Sequence, residues 1–356
     1  MTVYQQLQLN QAGSKALVRS ARTRPEKAKR LAVYILKVLL TAVFCCTFVI
    51  AFSLLLGSGN SIVGVVVLLM LLAFRQVDLG IRTTHGVGAM WLIFAVLAFG
   101  PRLANISGPV LGFFINAACI LLLLVLGCHN PILSNQSTLV LNYLLLYGYD
   151  AADTRAYLLR LAGLLCGAVL ISIVLLVKGK GRGNRRTLAD LFLEFDLNSS
   201  RTRWYLKMAL GICSIMLFVE LLGFDRAMWA GIAAMSVCQV FRSDMTQRVK
   251  FRAPGNVVGA VLFVALYAVL PAGIREQAGI LGGICVGFSA SYGFQTIFNS
   301  LGALVLATGS FGVATAVFLR IFNNAVGSLY MFAFDKVLRL LGRALEKRRA
   351  KPACGC

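Results

Sequence analysis

The sequence predicts an all-α polytopic membrane protein, with about twelve transmembrane helices in two parallel six-helix repeats. Three observations predict it: long charge-free stretches, one-sided basic charge and an internal repeat. The chain has 356 residues, 59% apolar and 13% charged, where a soluble domain carries about 25% charged residues. Residues 38–74 and 277–319 hold no Asp, Glu, Lys or Arg, and 103–149 hold none either, with only His129 to titrate near neutrality. A helix needs about 20 apolar residues to cross the hydrocarbon, so each of the two longest stretches accommodates a pair of crossings. This excludes a soluble globular protein.

The formal net charge of +22 invites a nucleic-acid partner, but its distribution argues for topology instead. Of 35 Lys and Arg, 29 fall in the arm 1–37, loop 75–82, linker 178–207, loop 241–252 and tail 336–356. Under the twelve-span reading all of these lie on one side. The other side receives only Arg102, Arg155, Arg226 and Arg275. That asymmetry is the positive-inside bias. It places both termini, the linker at residue 190 and the tail in the cytoplasm, and residue 225 outside. The expected location is a cell membrane, crossed many times. An even number of spans per half makes the repeats parallel, related by an axis along the membrane normal.

The repeat is read from two pairs of segments. Gly64 and Gly231 each stand ten residues before a Phe-Arg pair, Phe74-Arg75 and Phe241-Arg242. AYLLRLAGLLCGAVL (156–170) aligns with AVFLRIFNNAVGSLY (316–330), each with an Arg seven residues before a Gly: Arg160 to Gly167 and Arg320 to Gly327.

Taken in order, the arm 1–35 is polar and basic, and Pro25 marks a helix start. Its cluster from Arg19 to Arg30 suits either topology or contact with anionic lipid heads. First-repeat spans (36–177) are expected at roughly 36–56, 61–74, 83–100, 108–127, 138–149 and 156–177. The linker 178–203 begins Gly/Lys/Arg-rich, then turns amphipathic at LADLFLEFDL, an interfacial helix with Leu188, Leu191, Phe192 and Phe195 on its apolar side. Asn198, Ser199 or Ser200 is placed to cap the next helix. Second-repeat spans (204–335) are expected at roughly 205–222, 227–240, 254–271, 278–293, 297–312 and 314–335, followed by the basic tail 336–356. Spans 61–74, 138–149 and 227–240 reach only about 20 Å at 1.5 Å per residue. Short spans at matching places in two halves point to broken helices around a solute site.

No GxSxG, HExxH, P-loop or CxxC pattern is present, and His85 and His129 lie in separate segments, so no enzyme, metal or cofactor is expected. Eight cysteines lie in apolar segments and read as small buried hydrophobes. Cys354 and Cys356 form a CGC tail expected to be reduced.

Arg160 and Arg320 carry the strongest functional signal. A guanidinium about one turn inside an apolar span faces a wet cavity or an anion, or it snorkels to the outer interface, helped by Tyr157 or by Asn323 and Asn324. Its planar fork suits a carboxylate. Arg75 and Arg242, beside Phe74, Phe241, Asp78 and Asp244, form either an anion-attracting cytoplasmic vestibule or plain topology anchors. Glu220 is the one acid well inside an apolar run. It is a candidate proton carrier, or else a structural partner of Arg226 or Arg320. Asp150, Asp153 and Asp225 read as solvated outer-end residues. Trp229 is placed either to stack an aromatic solute or to pack.

These motifs carry a resemblance. Trp229-Ala230-Gly231 opens the short second span, a basic turn leads to Arg252-Ala253-Pro254-Gly255-Asn256-Val257-Val258-Gly259, and the Arg320-to-Gly327 span closes the unit. The pattern resembles the fusaric acid resistance and aromatic acid exporter family and, more distantly, the aluminium-activated malate transporters. The first copy departs, with Ile62 in place of the Trp and Arg82-Thr83-Thr84-His85-Gly86-Val87-Gly88 in place of the spaced glycines. Larger relatives carry a soluble cytoplasmic domain where this chain has only its linker. The resemblance implies efflux of aromatic or other organic carboxylates, with a small organic anion and the lipid bilayer as partners. It also leaves open a passive anion channel or a non-transporting scaffold. An oligomer or an adaptor protein is not read from the sequence.

Overall fold

A computed structural model describes residues 1–77, 79–179 and 186–350. Asp78, the start of the linker at 180–185 and the CGC tail lie outside the described residues. What is described is helical: α1 (Val3–Gln8), α2 (Gln11–Arg19), α3 (Arg24–Leu56), α4 (Ser61–Phe74), α5 (Thr83–Ile106), α6 (Gly108–Gly127), α7 (Gln136–Gly148), α8 (Thr154–Gly179), α9 (Leu188–Leu193), α10 (Ser200–Leu221), α11 (Ala227–Val237), α12 (Arg242–Val269), α13 (Ala278–Phe288) and α14 (Tyr292–Ala350).

Among the described residues seven helices, α3, α5, α6, α8, α10, α12 and α14, are long and apolar enough to cross a membrane. The sequence reading expected about twelve spans, and the difference has two causes. The expected spans at 61–74, 138–149, 227–240 and 278–293 fall on helices of 14, 13, 11 and 11 residues, too short at 1.5 Å per residue to cover a core of about 30 Å. The expected spans 297–312 and 314–335 fall on the single element α14. Gly312 divides that element into two limbs with a non-helical backbone (φ +73°, ψ 169°), a conformation open to glycine because it lacks a Cβ.

By their internal packing, Met1–Leu68 with Lys250–Phe322 form one compact unit, and Leu69–Val249 with the chain from Asn323 onward form another. In the first unit the basic arm is folded onto α3. Thr23 caps α3 by accepting from the Glu26 amide, with Pro25 in its first turn. The Lys37 ammonium donates to the Leu9 carbonyl and to the Ser14 hydroxyl, and Arg30 donates to the Leu17 carbonyl. Tyr34 packs edge-on against Phe288 with ring centroids 5.5 Å apart.

The glycine pattern of α12 is explained by its approach to the first limb of α14. A Cβ at Gly259 would lie 2.4 Å from the Ile297 carbonyl oxygen, and one at Gly255 would lie 2.1 Å from the Thr296 hydroxyl. Small residues four apart let two helix backbones touch. Between them Asn256 is fully buried, accepting from Ser300 (2.9 Å) and donating to the Arg252 carbonyl (2.8 Å).

The second unit packs α5 against α6, α7 and α8, and α10 against α6 and α11. Trp204 donates to the Cys238 carbonyl and Tyr205 to the Cys128 carbonyl, both from the first turns of α10. Ser199 occupies the N-cap of α10 without a side-chain cap bond. The linker helix α9 is short and capped by Thr187 and Asp190 reciprocally; Leu191 is buried while Phe192 and Phe195 are exposed. Of the eight described cysteines, all free, Cys128, Cys213 and Cys238 are buried, whereas Cys166 is exposed.

Candidate functional site

The second unit gathers a cluster of charged and polar side chains around the C-terminal end of α7. That helix stops after 13 residues: Gly148 is its last, and a Cβ there would fall 1.6 Å from the Met228 sulfur. The last four carbonyls of any helix have no partner within it, and they form the negative end of its dipole. Inside a packed apolar bundle, each would be costly to leave unpaired.

The Tyr149 amide serves the Leu145 carbonyl, and side chains supply the remaining donors. Arg160 of α8 donates to the Tyr149 carbonyl (2.6 Å) and the Leu146 carbonyl (3.4 Å). Asn105 of α5 donates to the Tyr147 carbonyl (3.0 Å). Arg226, the N-cap of α11, donates to the Gly148 carbonyl (2.9 Å) and stacks on the Tyr149 ring at 4.6 Å. Arg226 reaches this position from a left-handed backbone (φ +61°), unusual for a residue other than Gly, Asn or Asp.

Arg160 is 2% exposed, so its guanidinium lies within the bundle. Asp150 completes the cluster. It accepts from Arg102 at 2.8 Å and approaches Arg160 at 3.9 Å. Asp150 stays exposed, as expected of a solvated residue, and is also paired, its carboxylate accepting from the Ala151 amide. Tyr157 stacks with Arg102 and donates to the Ala98 carbonyl.

Glu220 joins the same end of α7 through Tyr147, whose hydroxyl donates to its carboxylate at 2.6 Å. The expected structural partners were Arg226 and Arg320; the tyrosine takes that place because it lies across from α10. Asn323 is fully buried and donates to the Asp225 carbonyl (3.1 Å), tying the second limb of α14 to the turn before α11. Asn324 is also fully buried, and its carbonyl accepts from Ser328. Trp229 is buried within α11 at 1% exposure. Arg320 is likewise buried, at 6% exposure, in the first unit. Of the vestibule residues, Phe74 is buried, whereas Arg75, Phe241 and Arg242 are exposed. The structure therefore brings Arg160, Glu220 and the expected outer-end Arg226 to one helix end. Arg102, Asn105, Asp150 and Tyr147 also belong to this cluster and were not singled out as site residues. The segment Tyr147-Gly148-Tyr149-Asp150 closing a conspicuously short span was the available signal.

A second charged cluster lies at the other end of α6. His129 sits beside Arg201 (3.0 Å), and Glu194 receives Arg201 (2.9 Å) and approaches Arg186 (3.4 Å) and His129 (3.4 Å). Burial holds the imidazole below its ordinary pKa, aided by Arg186 and Arg201 and opposed by Glu194. The His129–Glu194 approach is therefore not an ion pair: Arg201 donates to the same nitrogen, which must carry a lone pair. Because the folded pKa is depressed, the unfolded chain takes up the proton first as pH falls. Stability from this contact is constant above about pH 6.5 and declines as pH drops from there toward the folded value. Thermal unfolding of the purified protein at pH 5.5 and 7.5 is expected to show an acid-induced loss that shrinks in His129→Gln. An unchanged acid loss in that variant would assign it to other groups.

Seven apolar helices and a buried, polar-capped helix end define a multi-pass α-helical membrane protein. Residues 212–334 match the family model described as fusaric acid resistance protein-like, so this segment is similar to domains of that kind. It runs from α10 into the second limb of α14 and contains Trp229-Ala230-Gly231, the Arg252-to-Gly259 motif and the Arg320-to-Gly327 span. No curated protein and no solved structure matches the chain.

Proposed function

We propose that the protein exports organic carboxylates, aromatic ones above all, from the cytoplasm, driven by the proton gradient. The observation that carries this reading is the fusaric acid resistance protein-like domain over residues 212–334. Its supporting chemistry is the burial of Arg160 and Arg320, since a guanidinium deep in an apolar bundle favours anions and offers them a fork. Arg160, Arg320, Asn323, Asn324 and Trp229 are assigned to the solute, and Phe74, Arg75, Phe241 and Arg242 to its cytoplasmic approach. In this reading α3–α8, and α10–α13 with the two limbs of α14, are two parallel repeats of six membrane-inserted helices, the short ones inserted without crossing alone. Arm, linker and tail lie in the cytoplasm of a cell membrane.

Glu220 is assigned to the coupling proton. Its hydrogen bond from Tyr147 links it to the α7 end that Arg160 caps, so a change of charge there is felt at the cationic cluster. In proteoliposomes, Glu220→Gln is expected to lose acceleration of carboxylate flux by an imposed pH gradient while keeping flux down the solute's own gradient. Retention of full pH-gradient acceleration in this variant would remove Glu220 from the mechanism.

A further inference from the structure

The second unit contains an open groove of about 680 Å³ between the first turns of α10 and the C-terminal stretch of α14. Its polar wall carries four cations, Arg203 and Lys207 from α10 and Arg339 and Arg343 from α14, against one carboxylate, Asp335. Asp335 is 7% exposed and sits 2.7 Å from both Lys207 and Arg339. One buried acid thus already serves two bases, and the groove keeps a surplus of positive charge. Arg203 is exposed and donates to the Asn198 carbonyl (2.9 Å); Arg343 is also exposed.

The rest of the lining is largely apolar. Leu210 and Leu338 line it while remaining 43% and 38% exposed. Trp204 lies along it, its indole N–H already bonded to the Cys238 carbonyl. Both helices are candidate membrane spans, and the groove lies at the end that the basic excess assigns to the cytoplasm. A small soluble anion would be met by the cations alone and would leave the leucines uncovered. An amphiphile with a negative head satisfies both kinds of lining.

We infer that this groove binds one anionic phospholipid of the cytoplasmic leaflet, its phosphate among Arg203, Lys207, Arg339 and Arg343 and an acyl chain along Leu210 and Leu338. The inference rests on the side assignment of the groove, not on transport of any solute. Each cation near a headgroup strengthens the preference for an anionic lipid by about five-fold.

The test uses the full chain in phosphatidylcholine vesicles containing a brominated lipid, either phosphatidylglycerol or phosphatidylcholine. Quenching that disappears in Trp204→Phe reports lipid at the groove. Brominated phosphatidylglycerol is expected to quench this component at much lower mole fraction than brominated phosphatidylcholine. The preference should fall about five-fold per cation in Arg203→Gln and Arg343→Gln, two exposed positions where folding is not at stake. It should persist in Lys27→Gln/Lys29→Gln and in the presence of excess inorganic phosphate. Equal quenching by the two lipids would overturn the inference. So would reversal by phosphate, which marks a soluble-anion site, or an equal loss in the lysine variant, which marks general surface charge.

Discussion

Arg160→Gln is expected to lower carboxylate flux by about ten- to a hundred-fold and to lower thermal stability as well. The two effects have separate origins. A charge-assisted contact to the solute carboxylate contributes roughly 1.5–3 kcal/mol, which converts to that range of binding. Independently, Arg160 satisfies the Tyr149 and Leu146 carbonyls at the end of α7. Glutamine is shorter and offers one amide donor group, so at least one buried carbonyl is left unpaired, at a cost of about 1–3 kcal/mol. Lysine keeps the charge and loses the fork, so Arg160→Lys should recover only part of either effect. Flux per folded molecule separates the roles. If Arg160→Gln melts earlier but each folded molecule transports like the parent, Arg160 is a helix cap and not a solute ligand. The same measurement on Arg320→Gln examines the second guanidinium alone, and normal flux in both variants would place the solute elsewhere.

Gly327→Leu is expected to abolish the folded protein. A Cβ at Gly327 would stand 2.3 Å from the Ala230 carbonyl oxygen and 2.9 Å from the Ala230 Cα. Those are backbone atoms of α11, which is buried along nearly its whole length, so they cannot swing aside as a side-chain tip could. The second limb of α14 would have to move off α11 and carry Asn323 away from the Asp225 carbonyl. Overpacking of this sort costs about 1–3 kcal/mol for a few added carbons. Gly327→Ala should therefore fold with a lowered melting temperature, and Gly327→Leu should aggregate on size exclusion. Gly283→Leu serves as the control, because a Cβ there meets nothing within 4 Å. A monodisperse Gly327→Leu with parental stability would contradict the packing described for α11 and α14.

The elements most legible in the sequence are those bounded by both composition and chain-breaking residues. The expected 36–56, 61–74 and 108–127 end where α3, α4 and α6 end, because Gly57 follows the first and Gly108, with φ +76°, opens the last. Apolar windows mislead where a helix continues through polar residues. The expected span 254–271 is the apolar part of α12, whose helix begins at Arg242 and passes through Pro254. The expected boundary between 297–312 and 314–335 falls at Gly312, where a single residue with positive φ breaks the α14 element.

The site was half legible for a similar reason. A lone Arg in an apolar run, such as Arg160, or a lone acid such as Glu220, stands out by its desolvation cost alone. What each one meets is set by tertiary packing: Arg160 meets backbone carbonyls, which carry no sequence signature. Glu220 meets Tyr147, one of many tyrosines, and Asp150 meets Arg102 across 48 residues of chain. The repeated glycines were legible as marks and became interpretable only with their neighbours. Gly64 approaches Phe52 of α3 and Gly231 approaches Met216 of α10, each seating a short helix on the long one before it.

The central claim is that this chain moves an organic carboxylate across a membrane. The most direct measurement loads proteoliposomes containing the purified protein with radiolabelled benzoate or with uncharged benzamide, then imposes a pH gradient of either sign. The account expects protein-dependent benzoate flux that accelerates with one sign of the gradient and is lost in the Arg160→Gln/Arg320→Gln double variant, with benzamide flux equal to that of protein-free vesicles. Benzoate flux no faster than in protein-free vesicles, under both gradients, would contradict it.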